Sequence, residues 1–389
     1  MSRAARVVAV AGLAVLLAAY DSAILVLGLP GISADFQAPI PQLSGLGSVL
    51  ALGTLGALPL AALADVAGRR RVLAVAVLAF SLIDVASALA PSLGWLAGTR
   101  LVGVCFETAA AGIATALVVE ATPAGRRALA VSGLTLAAGA GVGLVTIAYP
   151  LVAPHWRWLY WAGAAGVLAA PLIWFALPDP EAWARAAHAS RTVLRAMAEA
   201  PFRGRLLLLV AYSALAAVFY EPAGLFVVLY GSRVLHLAPA ALSAVVVVAG
   251  LVGAAAFAAG GWLGDRYGRR RVGVGLAALT AIAAGMTFAS AAVVVYWTGN
   301  IAWSALASAA APVTGAWFAE LFPTRARATS EAVVAVSAAA GSIAGLQLVA
   351  ALEPRMGFGP AVALASLAAL GGAVILLRLP ETKGLPLPD

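Results

Sequence analysis

Apolar runs of about 18 residues or more, the length that crosses the hydrocarbon core of a bilayer as a helix, follow one another through nearly all of this chain. No water-soluble fold can bury them all. Of 389 residues 63% are hydrophobic and 10% charged, and the mean hydropathy is +1.01, far from the makeup of soluble domains. The alternating ten-residue pattern of an outer-membrane barrel is absent. An all-α membrane protein is the remaining class.

Twelve helices are expected, at about 7–30, 43–64, 72–90, 93–119, 128–150, 158–177, 204–230, 241–263, 272–290, 292–319, 329–352 and 359–378. Turn chemistry such as Ala38-Pro39-Ile40-Pro41 and Pro91-Ser92-Leu93-Gly94 separates them. The longest polar stretch divides the chain into residues 1–177, a linker at 178–203 and residues 204–389. With the N-terminus placed inside, twenty Arg and Lys residues fall at the termini and in inner loops, against Arg157, Arg233 and Arg355 outside. Cations are disfavoured in translocated loops, so both termini are expected in the cytoplasm of a cell-membrane protein. Arg3, Arg6 and the run at 7–19 imitate a secretory signal. The apolar stretch continues to Pro30, however, and reads as a retained first helix.

A second constraint is internal repetition. Ala64-Asp65-Val66-Ala67-Gly68-Arg69-Arg70-Arg71 is answered 200 residues later by Gly264-Asp265-Arg266-Tyr267-Gly268-Arg269-Arg270-Arg271. The same offset pairs Glu120 with Glu320, Arg127 with Arg327, and Tyr20-Asp21 with Tyr220-Glu221. Differences between the halves at matched positions therefore mark candidate functional residues. Arg100 faces Asn300 and Glu107 faces Ala307, so helix four carries most of the asymmetry.

The loop from Gly261 to Arg271 resembles the signature between helices eight and nine of the major facilitator superfamily, with a weaker copy between helices two and three. That resemblance implies two pseudo-symmetric six-helix bundles and transport by alternating access. Glu320-Leu321-Phe322-Pro323 and Pro380-Glu381-Thr382-Lys383-Gly384 are similar to signatures of its sugar porters and related organic-ion transporters. It also implies a cytoplasmic gate formed by Asp65, Gly68, Arg69, Arg70, Glu120, Arg127, Asp265, Arg266, Gly268, Arg269, Glu320 and Arg327. The glycines suit a tight turn, and the arginines offer partners to the carboxylates.

Asp21, Asp84, Arg100, Glu107 and Glu221 fall within expected spans, where a charge costs roughly 2.5–3.5 kcal/mol on insertion scales. By resemblance to proton-coupled sugar porters, Asp21 and Arg100 match a coupling pair. A guanidinium favours the ionised carboxylate and desolvation opposes it, so their separation would govern proton uptake. Asp84, in helix three, reads as a polar packing contact. Glu107, Tyr220, Glu221, Trp303 and Gln347 are the candidate substrate ligands. Where sugar porters carry a Gln-Gln pair and then an Asn in helix seven, this chain has Tyr220-Glu221 and Phe226. A hexose is therefore disfavoured, since its hydroxyls need matching polar partners.

Asp21, Glu107, Glu221 and Arg100 together would carry −2 if ionised, which favours a cationic or zwitterionic solute. Tyr20, Tyr220, Phe226, Trp297 and Trp303 could offer it aromatic faces. The expected function is thus proton-coupled symport of a small organic solute by a monomer in the lipid bilayer. Proton-driven efflux of organic cations and uniport are the alternatives. The sequence has no nucleotide-binding loop and no nucleophile paired with a base, so neither an enzyme nor an ATP-driven pump is expected. The lone Cys105 and the loop residues His155, His188 and His236 have no metal-ligand spacing. No cofactor, metal or nucleic acid is expected.

Overall fold

A computed structural model describes residues 3–123, 126–177, 200–323 and 327–384. The linker at 178–203 lies outside the described residues up to position 199. Backbone polar groups have no partner in lipid, so a spanning segment must satisfy them itself, as a helix does. The first half comprises α1 (Arg3–Asp35), α2 (Ile40–Leu55), α3 (Ala57–Ala67), α4 (Arg69–Ala88), α5 (Leu93–Ala121), α6 (Arg127–Val152), α7 (Arg157–Gly163) and α8 (Ala169–Ala176). The second comprises α9 (Ala200–Arg233), α10 (Pro239–Tyr267), α11 (Arg269–Ala289), α12 (Val293–Glu320), α13 (Arg327–Met356) and α14 (Phe358–Leu376). Among the described residues, twelve helical spans are long and apolar enough to cross a membrane.

Several spans differ from expectation in instructive ways. α1 runs through Pro30 to Asp35 and α13 through Pro354 to Met356, because a proline removes one backbone donor without ending a helix whose other bonds persist. The second span is interrupted between α2 and α3 at Gly56. The sixth, expected as one helix, is α7 and α8 joined by a 3-10 turn at Ala164–Leu168.

The chain packs into two compact units, Met1–Ala38 with Val49–His188 and Pro39–Ser48 with Ala189–Asp389. The segment at 39–48 thus sides with the C-terminal residues, where Ser48 Oγ accepts a hydrogen bond from Gln347 Nε2 at 2.9 Å. Within each unit the repeat is visible as packing. α1 lies against α6 in the first, as α9 lies against α13 in the second. Both crossings are close enough to demand glycine: a Cβ at Gly141 would lie 2.2 Å from the Leu16 carbonyl oxygen, and one at Gly341 2.1 Å from that of Ala214.

Candidate functional site

The intramembrane charges of the first unit converge on one side chain. Arg100 extends from the second turn of α5 into an interior where it is 1% exposed. Its Nη2 donates to Asp21 Oδ2, from the middle of α1, at 2.8 Å. Its Nη1 donates to Asp84 Oδ1, from α4, at 2.9 Å. Glu107, two turns along α5 from Arg100, brings Oε2 to 3.5 Å from Nη2. An unpaired guanidinium could not remain in this apolar setting, so the helices that carry the carboxylates are fixed around it.

Asp84, expected as a polar packing contact, is a fully buried partner of Arg100. The broken sixth span makes room for it. A Cβ at Gly163, the last residue of α7, would stand 2.5 Å from Asp84 Oδ2, and one at Gly166 in the 3-10 turn would stand 2.4 Å from Ser81 Oγ. Tyr160, also on α7, places its ring 5.3 Å from the guanidinium carbon, a distance at which the ring face attracts a cation. Tyr20 closes the wall by donating to the Leu159 carbonyl at 3.1 Å.

A second group of polar residues forms at the duplicated loops. Gly68 and Gly268 have φ of 99° and 100°, a region that L side chains avoid, and each ends one helix while starting the next. Arg69 pairs with Asp65 at 2.9 Å and with Glu120. Arg269 pairs with Asp265 and, at 3.3 Å, with Glu320. Arg70 donates to the Leu177 carbonyl at 3.4 Å and Arg270 to that of Leu377, so this latch also repeats at an offset of 200. Arg127 Nε donates to the carbonyls of Val119 and Thr122 at 3.1 and 3.3 Å, capping α5. Arg266 lies over Trp262 and Tyr267. The side chain of Arg327 lies outside the described residues.

Glu381, known from the sequence only through a motif, caps α11. Its Oε1 accepts from the Arg269, Thr382 and Lys383 backbone N–H groups at 2.9, 3.0 and 3.0 Å, and its Oε2 from Arg270 N–H at 3.0 Å. Burial pushes this carboxyl up, but the backbone donors outweigh it and hold it below the usual carboxylate range.

The remaining candidates lie in the second unit, where the positions matching Asp84, Arg100 and Glu107 are Ala284, Asn300 and Ala307. Glu221 is exposed and Tyr220 half-buried on α9, Trp303 is half-buried on α12, and Gln347 on α13 is engaged by Ser48. Phe226 is not an available aromatic face, because it is fully buried with its ring 5.3 Å from that of Phe358.

A family model described as Major Facilitator Superfamily matches residues 11–298. The chain belongs to this superfamily. A partially occluded, inward-open structure of the xylose transporter XylE from E. coli is similar over 100% of both chains, at 19% identity and a TM-score of 0.78. The nucleoside transporter NupG is similar over 97% of this chain and 98% of its own, at 14% identity and 0.76. A bacterial homolog of the human lysosomal transporter Spinster, inward-facing and unoccupied, is similar over 97% and 95%, at 18% identity and 0.74. At these identities the solved structures establish a shared fold. The superfamily match makes this protein a multi-pass membrane transporter working by alternating access, and not an enzyme.

Proposed function

We propose that this superfamily member is a proton-coupled symporter of a small cationic or zwitterionic organic solute, with Asp21 as proton acceptor and Arg100 as the group that governs it. The observation that carries this reading is the Arg100 guanidinium, 2.8 Å from Asp21 in an apolar interior. A proton on Asp21 cancels its attraction for Arg100, and withdrawal of Arg100 favours that proton. A change in their separation during the transport cycle therefore links the proton gradient to solute movement.

The cation preference follows from charge. Asp21, Asp84 and Glu107 against Arg100 sum to −2 when ionised, within the first unit alone. Glu107, Tyr220, Glu221, Trp303 and Gln347 are the proposed substrate contacts. The arginine and carboxylate clusters at the two duplicated loops are the proposed cytoplasmic gate, with both termini on that side of the cell membrane.

The test is accumulation of solute in proteoliposomes under an imposed proton gradient. Wild-type protein is expected to concentrate a positively charged amine, and Asp21→Asn to equilibrate it without concentrating it. Undiminished accumulation by Asp21→Asn overturns the assignment. Proton flux opposite in direction to the solute identifies an exporter, and accumulation indifferent to pH a uniporter.

A further inference from the structure

A single Asp–Arg pair leaves half of the buried cluster without a role. Arg100 is shared: Asp21 occupies one prong of the guanidinium at 2.8 Å and Asp84 the other at 2.9 Å. The outer oxygens of both, Asp21 Oδ1 and Asp84 Oδ2, are buried and meet no donor among the described residues. The two carboxyl groups are nevertheless gathered on the two prongs of one guanidinium. Two carboxylates so placed repel strongly in an apolar medium, whereas a carboxyl and a carboxylate attract. Independently, the Tyr160 hydroxyl is fully buried beside the cluster and has no hydrogen-bond partner among the described residues.

Asp84 differs from Glu107 in its access to water. Glu107 is 8% exposed and farther from Arg100, at 3.5 Å. Asp84 is 0% exposed, and the backbone of Gly163 is packed against Oδ2 so closely that a methyl group would not fit. Gly163 thus closes that side of the carboxyl to solvent. The charged and titratable groups facing Asp84 are Tyr20 and Asp21 on α1, Arg100 and Glu107 on α5, and Tyr160 on α7. The 3-10 turn and α8 contribute no titratable residue, and Asp65 on α3 is paired with Arg69.

We propose that Asp84 is a second proton-accepting carboxyl, so that the site takes up two protons around the shared Arg100. Each uptake draws one proton from water and converts one carboxylate to a carboxylic acid, and release returns it. Two protons bring the cluster of three carboxyls and one guanidinium to neutrality. Neutralising Asp21 alone leaves Arg100 held by Asp84, and neutralising Asp84 alone leaves it held by Asp21. Arg100 is freed toward Glu107 only when both carry protons, which makes its release steeper in pH than a single carboxyl would allow.

This inference rests on the proton-coupled reading above, and infrared difference spectroscopy of the full chain in liposomes, titrated from acid to alkaline pH, separates the two. Wild-type protein is expected to lose two protonated-carboxyl absorbances, one absent from Asp21→Asn and the other absent from Asp84→Asn. A wild-type-like spectrum from Asp84→Asn removes the second site while the coupling pair stands. Carboxyl absorbances indifferent to both substitutions overturn the coupling reading as well. Should Asp84→Asn fail to fold, Gly163→Ala crowds Asp84 Oδ2 without altering any charge. It is expected to move the midpoint of one absorbance and leave the other in place, and unmoved midpoints overturn the proposal.

Discussion

At the scale of single residues, Arg100 bears the greatest consequence for stability. Removing one member of a buried ionic group typically costs about 3–5 kcal/mol, because its partners are left charged and unpaired. Arg100→Gln should therefore lower thermal stability by about that amount, and adding Asp84→Asn should recover part of the loss. Strictly additive losses in that double-mutant cycle would deny the contact. Gly163→Ala should cost about 1–3 kcal/mol, the usual penalty of overpacking, since the Asp84 carboxylate that it meets is itself pinned by Arg100. Asp21 and Arg100 are legible in the sequence as charges inside apolar runs, and Glu107 as a departure from the repeat. Asp84 is legible there only as a polar contact, its partner unnamed, although the same comparison finds Ala284 at the matched position. A linear pattern marks the cost of a buried carboxyl without telling which neighbour offsets it. That depends on how α4, α5 and α7 close around one another.

Among the elements, the turn joining α10 to α11 depends on a glycine and a carboxylate together. Gly268 has φ of 100°, and a Cβ there would lie 2.6 Å from Glu381 Oε2. Gly268→Ala should destabilise by about 1–3 kcal/mol, the range for strained backbone, read as a fall in melting temperature in detergent. Glu381→Gln should cost about 1 kcal/mol at neutral pH, as loss of a helix cap does. Because the folded carboxyl is held below its ordinary range, this stabilisation is present above the unfolded value of about 4.3 and is lost as pH falls through the folded one. The difference between wild type and Glu381→Gln should accordingly vanish in acid, and a gap that persists there would exclude the capping role. Helix number and approximate span are readable from hydropathy because lipid leaves the backbone few alternatives. The interruptions at Gly56 and at Ala164–Leu168 are not, because glycine in a membrane helix is compatible with either continuity or a break. Packing against α4 decides between them in the sixth span.

For the whole molecule, the asymmetric placement of arginine predicts that reporters fused to either terminus will be active on the cytoplasmic side, and a signal from the opposite side of the membrane would refute it. Organic cations should raise the apparent melting temperature of the purified protein more than organic anions do, since a ligand of the native state stabilises it; stabilisation by carboxylic acids alone would reverse the preference. The duplication makes the architecture legible from the sequence because both copies keep the loop residues that fasten adjacent helices. The structure adds how local those fasteners are. Arg69 and Arg70 find Asp65, Glu120 and the Leu177 carbonyl inside the first unit, as Arg269 and Arg270 find Asp265, Glu320 and the Leu377 carbonyl inside the second. A chain severed between them would forfeit none of these bonds, so each fragment would keep the fasteners of its own helices.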